Sequence, residues 1–185
     1  MYRLRARIDI ENPDDIGVFA GLVNTPAEAI TFDDPRHPGL PQRTIAPPGP
    51  APLAGPESYH ALRRELGIPE GADFGSDKVF AMDAGLDELH GISFTKGCYV
   101  GQELTSRMKH RATSRKRILS VRADVPLPAP GTVLTANGRP IGEILSADGA
   151  HGFALVRLDW LADADTAMAG QIAVALRRPA WLDPA

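Results

Sequence analysis

Lys96-Gly97-Cys98-Tyr99-Val100-Gly101-Gln102-Glu103 concentrates the chemistry of this chain. It holds the single cysteine of the protein, with Gly97 before it and Gly101 three residues after it. Glycine at both places permits close backbone approach and positive φ. A helix opening near Gly101 would turn its N-terminal dipole toward the thiol, and Lys96 would add a positive charge beside it. Both features point to a reactive or ligating sulfur at Cys98. The competing reading is a buried cysteine that packs as a small hydrophobe. Structural zinc and iron–sulfur clusters usually need four ligands, mostly thiolates, so one cysteine cannot hold such a site alone. The five histidines show no ligand spacing. No self-contained metal site is expected, and a ligand shared with another chain stays open.

A basic strip follows directly. No acidic residue occurs from Leu104 to Ala123, while Arg107, Lys109, Arg111, Arg115, Lys116 and Arg117 crowd into that window beside His110. These six are drawn from 20 lysines and arginines, so the rest of the chain sets 14 bases against 23 acids. The picture is an acidic body carrying one cationic strip, which suits an anionic partner better than the net charge of −3 suggests. A solvated charged face and an anion site for polyglutamate, phosphate or RNA are both open readings. Base-specific RNA recognition wants exposed stacking aromatics, and none occurs between Tyr99 and Phe153. Backbone-type RNA contact is the most the strip supports. Gln102 and Glu103 read either as polar ligand contacts or as first-turn complements to a helix dipole. The chain has no phosphate-cradling glycine loop, nucleophile elbow or metalloprotease motif.

The elements that must position these residues fall into two textures. Tyr2 to Ile10 alternates apolar and charged residues with period two, so a half-buried strand is expected there. Val18 to Val23 and Ala29 to Phe32 are further strand candidates, and Pro41 to Pro56 reads as loop or linker. Glu57 to Leu66 is the clearest helix. Pro56 suits its first turn, Tyr59, Leu62 and Leu66 share a face, and Gly67 and Pro69 stop it. Leu86 to Leu89 predicts one helical turn and Gly101 to His110 a helix. Past Arg117 short strands take over: Ile118 to Arg122, Thr132 to Ala136, Pro140 to Ser146, His151 to Leu158 and Gln171 to Arg177. Asn137-Gly138 and Asp148-Gly149 are turn signals. Five strands in so short a stretch predict a small antiparallel barrel from about Lys116 to Ala180. The fold class is therefore α+β, with an α+β region over 1–115 and a barrel domain over 116–185.

At 185 residues the chain can bury a substantial core. A single cysteine excludes an intramolecular disulfide, and Met1 to Asp15 lacks a signal-peptide core. No apolar run approaches the roughly 20 residues needed to span a bilayer. A cytoplasmic protein without membrane association is expected.

The segment Lys96 to Glu103 resembles the KGCYxGQE signature of the YgfZ family, which is related to the glycine cleavage T-protein, an aminomethyltransferase. Leu86-Asp87-Glu88-Leu89-His90-Gly91-Ile92-Ser93-Phe94 resembles the approach to that motif. Tyr59 to Glu70 resembles an earlier helix of the family, and Asp34-Pro35-Arg36 has a counterpart there. The resemblance implies a folate-binding T-protein-like α+β region, lacking its N-terminal half, followed by a C-terminal β-barrel. It implies a role in assembly or repair of iron–sulfur enzymes, including tRNA-modifying ones, with tetrahydrofolate as cofactor. Cluster carriers or client enzymes would be the partners. By motif match Cys98 is the functional thiol, and Lys96, Tyr99, Gln102 and Glu103 are its companions. Asp83 of Asp83-Ala84-Gly85 stands where the family usually places a glutamate. Arg107, Lys109 and Arg111 would meet a polyglutamate tail. An aminomethyltransferase-like one-carbon transferase and an RNA-binding module are the alternative functions. Loss of a shared sheet partner would leave the N-terminal strand an open edge, which predicts homo-oligomers through it.

Overall fold

The computed structural model describes residues 16–22, 25–47, 55–111, 115–161 and 166–182. The strand expected over Tyr2 to Ile10 lies outside them, as does the oligomer contact expected through it. A three-stranded antiparallel sheet comes first, in the order β1 (Gly17–Ala20), β3 (Arg43–Ala46), β2 (Ile30–Phe32). Its middle strand corrects the expectation of loop over Pro41 to Pro56. Arg43-Thr44-Ile45-Ala46 is a proline-free run inside that stretch, and it hydrogen-bonds on both sides while burying Thr44 and Ala46. β1 ends at Ala20, earlier than the expected Val23, because Gly21 turns away at φ +66° and donates its N–H to Gln42 O at 2.9 Å.

α1 (Pro56–Glu65) starts on its proline, with Glu57 in the first turn and Arg63 and Arg64 in the last, each complementing the helix dipole. It ends in a Schellman pair. Ile68 N–H bonds Arg63 O at 2.8 Å, Gly67 N–H bonds Arg64 O at 3.0 Å, and Gly67 supplies φ +73°. α2 (Gly71–Phe74) follows at once, with the Glu70 N–H capped by Asp73 Oδ2 at 2.9 Å. Between Ala81 and His90 the chain runs in turns, and Leu89 N–H to Gly85 O at 2.9 Å closes the single helical turn expected there. α3 (Gln102–Arg111) matches the expected helix within a residue.

The barrel is closed and wholly antiparallel. It runs in the order β4 (Lys116–Arg122), β7 (His151–Arg157), β6 (Arg139–Asp148), β5 (Val133–Ala136), β8 (Thr166–Ala169), β9 (Ile172–Arg177), and β9 pairs back onto β4. It has six strands, not five. β8 is the addition, and without it β5 and β9 would be left as two edges. Asn137 and Gly138 take φ of 51° and 73°, the both-positive pair that a two-residue hairpin turn requires. Leu119, Val121, Leu134, Ile141, Ile144, Val156, Val174 and Leu176 fill the interior. Gly142 allows β6 and β7 to approach, since a Cβ there would collide with the Leu155 carbonyl oxygen. α4 (Leu158–Leu161) and a 3-10 turn over Ala180–Leu182 finish the described chain.

Charged side chains join sheet, helices and barrel. Asp34 accepts from Arg36 Nη2 and from Arg43 Nε, each at 2.7 Å. Arg36 Nη1 reaches Glu70 Oε1 at 2.9 Å, and Tyr59 Oη donates to the same oxygen at 2.7 Å. Arg63, buried, donates through Nη1 to Asp73 Oδ2 at 2.6 Å, and Asp73 Oδ1 accepts from Ser146 Oγ of β6 at 2.8 Å. On the barrel side Trp181 Nε1 donates to Leu66 O at 3.0 Å.

Two outcomes follow. Gly142→Ala destabilises the protein by about 1–3 kcal/mol through overpacking, read as a lower urea midpoint. Gly71→Ala, at an open position with ordinary φ, leaves the midpoint within error. A similar midpoint for both variants would show that β6 and β7 can separate at no cost. The second outcome concerns acid. Burial opposes charge on Asp34, but the bonds from Arg36 and Arg43 outweigh it and hold its carboxyl well below the usual range. Glu70 is likewise lowered: Tyr59 and Arg36 overcome its burial. Depressed carboxylates stabilise the fold above their unfolded values near ~4 and lose that contribution as pH falls through the folded values. Unfolding free energy therefore declines from about pH 5 downward. Asp34→Asn is less stable at pH 7 and declines less over that window; an unchanged acid limb in urea titrations would refute the assignment.

Candidate functional site

The motif forms a solvent-facing loop leading into α3. The Lys96 N–H donates to Ser93 Oγ at 3.2 Å, and the Lys96 ammonium lies 4.9 Å from the Tyr99 ring centroid, a cation–π contact. Gly101 takes φ +85°, a conformation other residues rarely adopt, and this turn delivers the chain into the helix. Gln102 N–H bonds Tyr99 O at 3.2 Å, while Thr105 donates both its N–H (3.1 Å) and its Oγ1 hydroxyl (3.0 Å) to Gly101 O. Cys98 is exposed, so the reading of a buried packing cysteine is corrected. Val100 beside it is fully exposed, and Leu104 is half exposed one helical turn later. The motif thus carries an open thiol and, two and six residues after it, apolar side chains that reach into solvent.

Tyr99, Gly101, Gln102, Glu103, Leu104 and Arg107 line an open hollow of about 570 Å³ at the start of the helix. Three of the four expected companions of Cys98 therefore share one wall. The Tyr99 hydroxyl is buried and has no hydrogen-bond partner among the described residues. Asp83 stands apart from this hollow. It is buried at the seam with the barrel, where its carbonyl accepts the Ile118 N–H at 3.2 Å. Neighbouring Ala84 packs with Ile118, Phe153 and Leu155.

The strip is not the unopposed cationic field expected from the sequence. Arg107 pairs with Glu103 one helical turn before it. Lys109 Nζ meets Asp87 at 2.9 Å and also lies 4.1 Å from the Phe94 ring centroid, tying α3 to the preceding turns. Arg117 approaches Glu88 at 3.5 Å, and Arg115 lies 3.9 Å from Asp159. These acids come from outside the window that contains the bases. The pairs at Arg107, Lys109 and Arg115 are open to solvent and worth about 0–1 kcal/mol each, so they lower the local field without locking it, whereas Arg117 and Glu88 are mostly covered. The Arg111 side chain lies outside the described residues. An RNA-binding strip loses its main support here. Among the described residues no group of three His, Cys, Asp or Glu side chains is placed to hold a metal ion. Among them, too, no helix is long and apolar enough to cross a membrane.

A second concavity was not expected. A cleft of about 500 Å³ opens between β1, β3 and α1, with Val18, Phe19, Ala20, Arg43, Tyr59 and Glu70 among its walls. Burial, and then the bond to Glu70, push the Tyr59 hydroxyl above its ordinary pKa. Arg36 is held more firmly protonated, chiefly by Asp34. The spacing of Asp34 and Arg36 and the position of Tyr59 on the helix face were visible in the sequence. Their convergence on Glu70 was not, because it depends on how α1 lies against the sheet.

Comparisons with known proteins agree with the barrel. Residues 115–184 match the family described as CAF17, C-terminal beta-barrel domain, which covers the closed barrel. The chain is 35% identical over 181 residues to the human "Iron-sulfur cluster assembly factor IBA57, mitochondrial", covering 84% of this chain and 51% of that protein. The mouse protein of the same name is 33% identical, covering 85% of this chain and 51% of its own length. An IBA57 homolog of Coccidioides immitis is 35% identical over 174 residues, with 74% of this chain and 41% of that protein covered. The chain spans about half the length of the curated relatives it matches. The cysteine motif, the barrel and these relatives are together consistent with the YgfZ family.

Proposed function

We propose that this protein is an accessory factor for assembly or repair of iron–sulfur enzymes, and that Cys98 is the group it offers to a cluster-carrying partner. The observation that carries the reading is the placement of the single thiol. It stands in solvent on a glycine-bounded loop, next in sequence to Tyr99, which with Gln102 and Glu103 lines a hollow at the start of α3. One thiol cannot retain a cluster, but it can exchange. The sulfur gives its proton to solvent and binds an iron in place of one thiolate of the carrier, and the displaced thiolate takes up a proton from solvent as it leaves; no electron is transferred. Exposed Val100 and Leu104 give a partner apolar area to cover while the ligands exchange. Relatives whose names state iron–sulfur cluster assembly support the same role. Clients that modify tRNA belong to the proposal as one class of enzyme served.

Tetrahydrofolate is the ligand we propose for the cleft beside α1. Its volume falls within the range of small-molecule pockets. Phe19 and Tyr59 offer ring faces, and Arg43 and Glu70 offer fixed charges. On this reading residues 1–115 are a partial T-protein-like folate domain. The cytoplasm is the proposed compartment, although the relatives carry "mitochondrial" in their names; cell fractionation decides between them.

Cys98→Ser keeps the size of the side chain and removes the soft ligand. The variant is expected to melt like the parent protein and to fail to restore iron–sulfur enzyme activity in cells lacking their own family member. Full restoration by the serine variant would overturn the role of the thiol. For folate, calorimetry is expected to show binding that Ala20→Trp abolishes by filling the cleft mouth, with Cys98→Ser binding normally. Undiminished binding by the tryptophan variant would move folate out of this cleft.

A further inference from the structure

A third concavity lies far along the chain from the motif, between the C-terminal half of α1 and the outside of the barrel. It measures about 530 Å³, and Arg64, Glu65, Ser120, Arg122, His151 and Arg177 contribute to its walls. Sheet register explains why they converge. Ser120 pairs with Arg177 across β4 and β9, and Arg122 pairs with His151 across β4 and β7. Ser120 and Arg122 are two residues apart on one strand, so they share a face, opposite the one by which Val121 enters the core. All four therefore project outward from adjacent positions, diagonal neighbours lying about 7–8 Å apart.

Charge in this groove differs from that of the strip beside α3. Arg122 and Arg177 are exposed, and neither has an ion-pair partner among the described residues. Two carboxylates are placed here by the lining and the strand register. Asp148, in register with His151, is taken up by Arg64 at 2.9 Å, and Glu65 sits on the helix rim. The helix end does not oppose an anion strongly, because its carbonyls are engaged: Arg64 O by Gly67 N–H and Ser120 Oγ, Leu66 O by Trp181. Two guanidinium forks and an imidazole thus surround one space.

We propose that this groove binds the phosphate group of a small organic phosphate. A carboxylate has two oxygens and is satisfied by one guanidinium fork, whereas a phosphate can engage both forks together with a third donor, here the imidazole of His151. The volume exceeds that of a phosphate and leaves room for the organic remainder. The site is independent of Cys98 and of the cleft proposed for folate.

Calorimetry with inorganic pyrophosphate tests it on the full chain. Saturable binding is expected, weakened at least tenfold in Arg122→Glu/Arg177→Glu and unchanged in Arg139→Ala, which removes a barrel arginine elsewhere. Citrate should bind more weakly than pyrophosphate. The singles Arg122→Ala and Arg177→Ala, each several-fold weaker with an unaltered urea midpoint, carry the test if the double variant folds poorly. Equal affinity in the double variant, or an equal loss in Arg139→Ala, would overturn the site. So would a single-stranded RNA 12-mer that outcompetes pyrophosphate, because the groove would then belong to a nucleic-acid surface.

Discussion

Everything in this molecule hangs on a relay of opposite charges that runs from the sheet to the barrel. Asp34 lies between Arg36 and Arg43; Arg36 reaches Glu70; Glu70 lies 3.4 Å from Arg63; Arg63 grips Asp73; and Asp73 takes the hydroxyl of Ser146. Taking one such charge from water costs several kcal/mol, and removing one partner of a buried pair costs about 3–5 kcal/mol because the other is stranded. The relay therefore tolerates few alternative arrangements of sheet, α1 and barrel. It fixes the walls of the cleft as well, since Arg43, Tyr59 and Glu70 are already bonded to one another's partners before any ligand arrives.

The motif loop is built differently. Among the described residues its contacts include one cation–π pair, one serine cap, the Thr105 hydroxyl bond to Gly101 O, the Glu103–Arg107 pair and a few backbone bonds. A loosely held loop on a rigid body can adapt to a partner while the body keeps its shape. The Lys109 contacts to Asp87 and Phe94 anchor the helix behind the loop, so adaptation is confined to the residues around Cys98.

Much of the barrel could be read in the sequence because its signals are local. Asn137-Gly138 demands a hairpin, and the strands on either side alternate. β8 escaped because Thr166-Ala167-Met168-Ala169 has one β-branched residue and small side chains; only its pairing with β5 and β9 makes it a strand. β3 escaped for the opposite reason, a strong breaker composition surrounding four good residues. The reading of the strip as an unopposed field failed on long-range partners. Asp87, Glu88 and Asp159 reach it from sequence positions that no window around residues 107–117 contains. Glu103 was nearer, one residue before the acid-free window, and its pairing with Arg107 is an ordinary i,i+4 contact. The exposure of Cys98 could be argued from its glycines, whereas the groove at Arg122 and Arg177 required strand register that composition does not carry.

The bond from Trp181 to Leu66 spans 115 positions of sequence. Trp181 also lies against Gly85, where an added Cβ would come within 2.7 Å of its ring, and Pro179 presses on Gly67 in the same way. The last described turn of the chain is thus the clasp that holds the first helix to the body. On the ribosome, where synthesis is vectorial, the Leu66 carbonyl at the end of α1 must wait for a segment 115 positions downstream before it finds its cover. Contacts of such separation slow folding and prolong the exposure of sticky surfaces. A nascent chain of this design would need shielding until the segment from Pro179 to Trp181 has emerged.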